Sequence, residues 1–354
     1  MSAFDFFDRV TRRAQIPRSG SFKKLKIALI SDELTALCLQ HECEIRNISP
    51  LNYRVVFRYW HPDILLVESA WYGKGNAWKF KIASYDGHPE RNNNELRRVV
   101  ACARDMGIPC VFWNKEDGVH FDRFIQSASL FDHIFTVDAN TVPRYRAALG
   151  DAASVHPLMF AIQPALHSPT SHGYRYSRAC FVGSYSHHIH PRRRMWQDML
   201  FEGTQQLGLT VYDRNSNRRS DVYRYPARPW IDLRTQIPHR NTAQVYREHM
   251  VCLNVNTIED SPTMFSRRFL EIVASGGLAV STPALSIEQQ FADYCHVVSS
   301  PEELEDLLGT LRNGWRRTDK EMVQAGAQHV LQFHTWEKRL EQILQIVPIR
   351  KSIG

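Results

Sequence analysis

The chain has 354 residues, 43% of them hydrophobic, and a formal net charge of +7. That is enough apolar material for two cores of ordinary domain size, and no window approaches the roughly 18 to 20 apolar residues a membrane-spanning helix needs. There is no apolar h-region of a secretory signal, and the seven scattered cysteines, without a C-x-x-C pair, read as reduced core thiols of a cytoplasmic protein.

The positive balance calls for an anionic partner: a nucleotide sugar, anionic lipid headgroups or nucleic acid. The arginines of Pro191-Arg-Arg-Arg194 and Asn217-Arg-Arg219 lack interleaved aromatic residues, which disfavours single-stranded nucleic acid. Residues 4 to 13 have Phe4, Phe7 and Val10 apolar and Arg9, Arg12 and Arg13 basic. They read as an N-terminal arm (1–22) that either packs on the protein or forms a short amphipathic helix touching an anionic membrane at its inner face.

From there, strands and helices alternate, the pattern of doubly wound units. Residues 25–30 (LKIALI) read as a buried strand, 34–40 as a helix, 63–67 as a strand, 94–106 as a helix, and 109–113 and 133–137 as strands. A parallel order predicts a site along their carboxyl ends, where Ser31-Asp-Glu, the loop from Glu68 and Asn114-Lys-Glu-Asp117 all fall. Glu116 or Asp117 is placed to deprotonate an acceptor hydroxyl, with His120 as a third candidate; an Asp117-Gly118 turn beside a Lys115–Glu116 surface pair is the competing reading. Trp71 and Tyr72, followed by Gly73 and Gly75, suggest a mobile sugar-stacking loop, or simply a loop. Asn114 and Lys115 join them as acceptor-binding candidates.

The prolines of Gln163-Pro-Ala-Leu-His-Ser-Pro169 mark a crossing between domains. Strands follow at 179–182, 210–212, 251–255, 278–280 and 296–298, and helices from Pro191, over 266–274, from Pro301 to about residue 312, from about residue 319, and over 334–347. Gly183 and Ser184 end the first of these strands, where a glycine lets backbone approach phosphate or sugar. Tyr212 and Asp213 end the next and are placed to meet a nucleobase, although a turn aspartate looks the same. After the third strand, a loop containing Asn256, Thr263, Met264 and Phe265 leads to Ser266-Arg-Arg-Phe-Leu-Glu271 at a helix start. Helix N-termini favour phosphate, Arg267 and Arg268 supply planar donors for it, and Glu271 can accept from ribose hydroxyls. His187, His188 and His190 invite a metal reading, but no carboxylate or cysteine at regular spacing completes a site. No Asp-x-Asp pair is present either, so no metal or other cofactor is expected.

Several segments together resemble the CgeB-like (spore maturation protein type) glycosyltransferases, which are similar to the glycosyltransferase group 1 enzymes: WNKEDGVHFDRF (113–124), FDHIFTVD (131–138), CFVGSYSHHIHPRRR (180–194), VYDRN (211–215), LNVNT and SPTMFSRRFLEIVASGG. The resemblance runs from about Lys23 to the last helix. It implies an α/β fold of GT-B architecture: two Rossmann-like, doubly wound domains facing a central cleft (23–165 and 166–332), with a final helix (333–354) crossing back onto the first. It further implies a nucleoside diphosphate sugar held mainly by the second domain and a hydroxyl acceptor by the first. Related retaining enzymes often carry E-x7-E; here the second glutamate is Glu271, and the position eight before it is Thr263. The expected activity is transfer of a hexosyl or related sugar to a glycan, lipid-linked or protein hydroxyl, in surface polysaccharide or glycoconjugate synthesis. A non-catalytic nucleotide-sugar binding protein and a nucleic-acid base glycosyltransferase are the alternatives.

Overall fold

A computed structural model describes residues 18, 20–170 and 173–349; the expected amphipathic helix over residues 4–13 lies outside them. The chain divides into two compact units, Met1–Met159 with Trp336–Gly354, and Phe160–Thr335.

The first unit runs β1 (Lys26–Ile30), α1 (Glu33–Leu39), β2 (Glu44–Asn47), α2 (Tyr53–Trp60), β3 (Ile64–Glu68), α3 (Asn94–Asp105), β4 (Cys110–Asn114), α4 (Asp117–Ala128), β5 (His133–Thr136), α5 (Val142–Leu149) and β6 (Ser154–Pro157). The strands form one six-stranded sheet in the order β2-β1-β3-β4-β5-β6, each neighbouring pair parallel. Helices cover such a sheet on both faces, so its inner strands are continuous apolar runs rather than alternating ones: Ile64-Leu-Leu-Val67 and Cys110-Val-Phe-Trp113 are buried throughout. The edge strand Glu44–Asn47 is only half-buried. In α2, Tyr53, Val56, Phe57 and Trp60 bury one helical face, and each such side chain contributes roughly 1.5–3 kcal/mol. The final helix, Trp336–Ile346, belongs to this unit: Trp336 stands edge-on to Trp113 at 5.2 Å, and Arg339 Nε donates to the Met159 carbonyl at 2.9 Å.

The second unit runs β7 (Tyr176–Gly183), α6 (Pro191–Gly203), β8 (Leu209–Asp213), β9 (Ile231–Arg234), α7 (Thr242–Glu248), β10 (His249–Asn254), α8 (Arg267–Ala274), β11 (Ala279–Ser281), α9 (Leu285–Gln290), β12 (His296–Val297), α10 (Pro301–Leu311) and α11 (Arg317–Phe333). Its order is β12-β11-β10-β7-β8-β9, again with every neighbouring pair parallel. Counted from its own first strand this is the 3-2-1-4-5-6 order of dinucleotide-binding folds, with the reversal between β7 and β10. The proline-marked segment 163–169 is packed within this unit. Its Gln163 and His167 are buried, His167 bonded to Thr242, while both prolines are half-buried and Ala165 is exposed.

Among the described residues no helix is long and apolar enough to cross a membrane.

Candidate active site

Ligands of open parallel sheets collect at the carboxyl ends of the strands, where the strand order reverses. In the second unit that point lies between Gly183 at the end of β7 and Asn254 at the end of β10. Gly183 is buried, and a Cβ on it would stand 2.6 Å from the Phe181 ring and 2.8 Å from Arg268 Nη2. Glycine is what lets Arg268 cross the strand end. Arg268 Nε donates to the Val182 carbonyl at 2.6 Å and its guanidinium lies 4.3 Å over the Phe181 ring. It is 8% exposed, yet its Nη1 is buried without a hydrogen-bond partner.

Arg193, on the first turn of α6, likewise has Nε buried without a partner. Burial, with the neighbouring cations Arg268 and Arg214, lowers its pKa to about 10. Arg214 is fixed by its own N–H donating to the Gly183 carbonyl at 2.8 Å. The adjacent Arg192 differs: exposed, it pairs with both oxygens of Glu259 at 2.7 Å. Tyr225, whose hydroxyl is a third buried polar group without a partner, borders the same arginines. Buried polar groups are normally satisfied, and here three polar groups without a partner, two of them arginine donors, stand close to one another at this strand end.

Arg267 takes a different position from Arg268. Its Nε pairs with Glu271 Oε1 at 3.2 Å, one helical turn along α8. Glu271 is 6% exposed; burial alone raises its pKa, but the surrounding His239, His167, Arg267 and Arg214 bring it down to about 2. Burial also keeps both histidines uncharged at neutral pH, which leaves the arginines as the cations facing that carboxylate. Asn256 is fully buried and acts within the loop: its Oδ1 accepts from the Ser266 N–H at 2.9 Å and its Nδ2 donates to the Thr282 carbonyl at 3.0 Å. Ser261 Oγ accepts from the N–H groups of Thr263 and Met264, and Phe265 is buried against Phe269 and Phe291. Ser184 is half-buried, and its carbonyl accepts from Gln197. Tyr212 is half-buried with its hydroxyl accepting from Arg234, while Asp213 accepts from the Asn215 N–H at 2.8 Å as a turn aspartate does. His187 and His188 are exposed and bonded to the Arg224 carbonyl and Ser186.

In the first unit the reversal lies between β1 and β3. There Lys115 Nζ bridges Asp32 Oδ2 at 3.2 Å and Glu68 Oε1 at 3.0 Å, and the Asp32 N–H donates to Glu68 at 2.6 Å. Glu116 follows, half-buried: burial raises its pKa, Lys115 and a hydrogen bond from Trp71 lower it, and Asp32 and Glu68 add to the rise. His120 is half-buried, with its ring 5.2 Å from that of Trp71. Glu116, His120 and Trp71 therefore stand together.

Three expectations need correction here. Asp117 is fully buried rather than open to the sheet edge, its Oδ2 accepting from Tyr145 at 3.1 Å and Thr141 at 3.2 Å and its Oδ1 without a partner, because it opens α4 facing inward. Asn114 is equally enclosed, donating to Tyr145 at 2.7 Å. The Trp71–Gly75 loop is tied down rather than a free lid: the Gly73 N–H donates to Asp32, Lys74 N–H to Ser31, and Trp78 N–H to Tyr72. Gly73, at φ +65° with Trp78 Cβ 2.8 Å from where its own Cβ would lie, permits that turn. Tyr72 stays exposed, with Lys79 Nζ 5.6 Å over its ring.

Residues 192–345 match the family model described as glycosyl transferase-like. No curated protein matches the chain. Among solved structures, sucrose-phosphate synthase from Thermosynechococcus elongatus superposes with a TM-score of 0.55 at 10% identity, over 91% of this chain and 98% of that one. HepE from Anabaena, in complex with UDP-glucose, gives 0.54 at 11% identity, over 91% and 99%. A glycosyltransferase from Rickettsia africae gives 0.51 at 11% identity, over 91% and 89%. The chain has the GT-B fold.

Within this GT-B chain, the sequence alone points to Arg267, Arg268 and Glu271 but not to Arg193, Arg214 or Tyr225, which reach the same strand end from other segments. A triple arginine at a helix start beside Gly183 was the available signal. Asp32 and Glu68 had been placed at the sheet edge without a partner, and Lys115 supplies it.

Proposed function

We propose that the protein is a nucleotide-sugar glycosyltransferase, CgeB-like, whose second unit holds the diphosphate of the donor and whose first unit holds the acceptor. The observation that carries this reading is the arginine cluster at the β7/β10 reversal, where half-buried Arg193 and buried Arg268 each keep a buried nitrogen without a hydrogen-bond partner. A diphosphate supplies partners for both. Glu271, ionised and turned toward that strand end, accepts from the ribose hydroxyls. The anion-binding order of the sheet, the glycosyl transferase-like match over 192–345 and the likeness to HepE, whose structure contains UDP-glucose, support a uridine diphosphate sugar as the first donor to test.

The acceptor hydroxyl gives its proton to Glu116, a carboxylate made more basic by burial, with His120 beside it. The freed oxygen attacks the anomeric carbon, and the bond to the diphosphate breaks, its electron pair leaving on the phosphate oxygen. Arg193, Arg268 and the N-terminus of α8 stabilise that charge, so departure needs no metal ion. Trp71 and Tyr72 offer rings against the acceptor sugar, and Lys115 holds the neighbouring carboxylates in place. A cytoplasmic enzyme of surface polysaccharide or glycoconjugate assembly, in peripheral contact with the inner membrane face, fits this chemistry.

The test is incubation with a panel of UDP-sugars and glycan or lipid-linked acceptors, followed by NMR of the product. Release of UDP with a new glycosidic carbon signal is expected. Tight donor binding with no turnover across the panel would instead favour the non-catalytic nucleotide-sugar binder.

A further inference from the structure

His167, His239 and Glu271 come from the 163–169 segment, a short 3-10 segment and α8, yet their ligand atoms all lie within 4.8 Å of one another. His239 Nε2 is 3.6 Å from Glu271 Oε1, close to the roughly 3.3–3.5 Å between neighbouring ligands of a tetrahedral zinc ion. The Thr242 hydroxyl sends its single proton to the His239 carbonyl at 2.8 Å, so at 2.9 Å it accepts from His167 Nε2–H. That fixes the tautomer of His167 and leaves the lone pair on Nδ1. Metal-binding histidines are held in this manner, by donation of the other ring N–H to an oxygen.

We propose that His167, His239 and Glu271 form a site for a divalent transition ion such as Zn2+, whose occupancy takes Glu271 away from the donor. The second half rests on the functional reading above; the ion site itself does not. Two imidazoles and one carboxylate suit zinc, nickel or cobalt rather than magnesium, which takes oxygen ligands. The ion enters from the His239 side, whose side chain is 21% exposed against 8% for Glu271. It displaces the Arg267 guanidinium, whose Nε lies 3.2 Å from Glu271 Oε1. Residues 167, 239 and 271 share no spacing in the chain, which is why sequence reading found no metal site.

The test is calorimetry of Zn2+ against the whole, chelator-treated protein without nucleotide. One ion per chain is expected, with no comparable binding of Mg2+. His239→Gln or Glu271→Gln should weaken Zn2+ by more than about 100-fold, and Thr242→Val, which removes the bonds to His167 and to the His239 carbonyl but no ligand atom, by about 10-fold. Arg267→Ala should tighten Zn2+ while weakening UDP, a split no simple loss of fold produces. Should the histidine variant unfold, X-ray absorption on the zinc-loaded wild type reads the shell directly; two imidazoles and a carboxylate are expected. Unchanged Zn2+ affinity in His239→Gln and Glu271→Gln, or a shell with fewer than two imidazoles, overturns the site. Equal UDP affinity with and without bound zinc overturns the inhibition. Because the ion isotherm is recorded without UDP, failure of the donor reading is seen separately.

Discussion

The two sheets reverse their strand order at comparable places, and the charged groups there are handled in opposite ways. In the first unit, Asp32 and Glu68 would repel each other, but Lys115 lies between them and the set is closed internally. In the second, Arg193, Arg214 and Arg268 repel one another, and buried donors of two of them have no partner. That difference, more than the net charge of +7, is the basis of the proposal that the donor's diphosphate binds the second unit.

The largest expected effect concerns the chemistry the closed set supports. Glu116→Gln should lower the turnover number by about 10² to 10⁴ with donor affinity nearly unchanged, the usual range for a lost general base. Steady-state kinetics alongside donor calorimetry checks this, and near-normal turnover would pass the role to His120. Next comes a paired deletion that contrasts the two regions. Lys115→Met leaves Glu68 buried and facing Asp32, and breaking such a buried set costs about 3 to 5 kcal/mol. Arg193→Met removes one of several like charges and should leave stability unchanged or raise it. Urea unfolding of both variants measures the contrast, and a large loss from Arg193→Met would show that its charge is satisfied within the protein.

The smallest effect is one of pH. Burial pushes the Asp117 carboxyl up to about 7, although hydrogen bonds from Thr136, Tyr145 and Thr141 oppose the shift. Its unfolded value is about 3.9, so the folded state favours the protonated acid. That stabilisation is complete below pH 4 and fades as pH rises through 7. Asp117→Asn should remove this fall, so wild type loses stability between pH 5 and 7.5 relative to the variant. Parallel slopes in urea midpoints would show that Asp117 ionises freely in the fold.

Much of the fold could be read from the chain, because inner parallel strands are apolar runs such as Ile64-Leu-Leu-Val67 and Met250-Val-Cys-Leu253. The elements that escaped are those whose surroundings, rather than composition, make them regular. The edge strands Glu44–Asn47 and Ile231–Arg234 carry charges because one side faces water, so no apolar run marks them. In α2, valine and aromatic residues have modest helix propensity, and burial of Tyr53, Phe57 and Trp60 decides the matter. Asp117-Gly118 has the composition of a turn but opens α4, where Asp117 is anchored by Tyr145 and Thr141. At the site, Arg267, Arg268 and Glu271 could be read because one helix start carries all three. Arg193 had only the arginine run on the helix after Gly183 as its signal, and Arg214 had none, since the pairing of β7 with β8 brings it to Gly183. Burial also separates neighbours with identical side chains: Arg192 is neutralised by Glu259 at the surface, while Arg193, one residue on, is not.

The most direct measurement of the central claim is calorimetry of UDP and UMP against wild type and Arg193→Ala. If Arg193 and Arg268 hold the second phosphate, UDP affinity should fall by about 1.5 to 3 kcal/mol, the range for hydrogen bonds to charged groups, and UMP affinity should fall distinctly less. Equal losses for the two nucleotides, or no loss for either, would contradict the account.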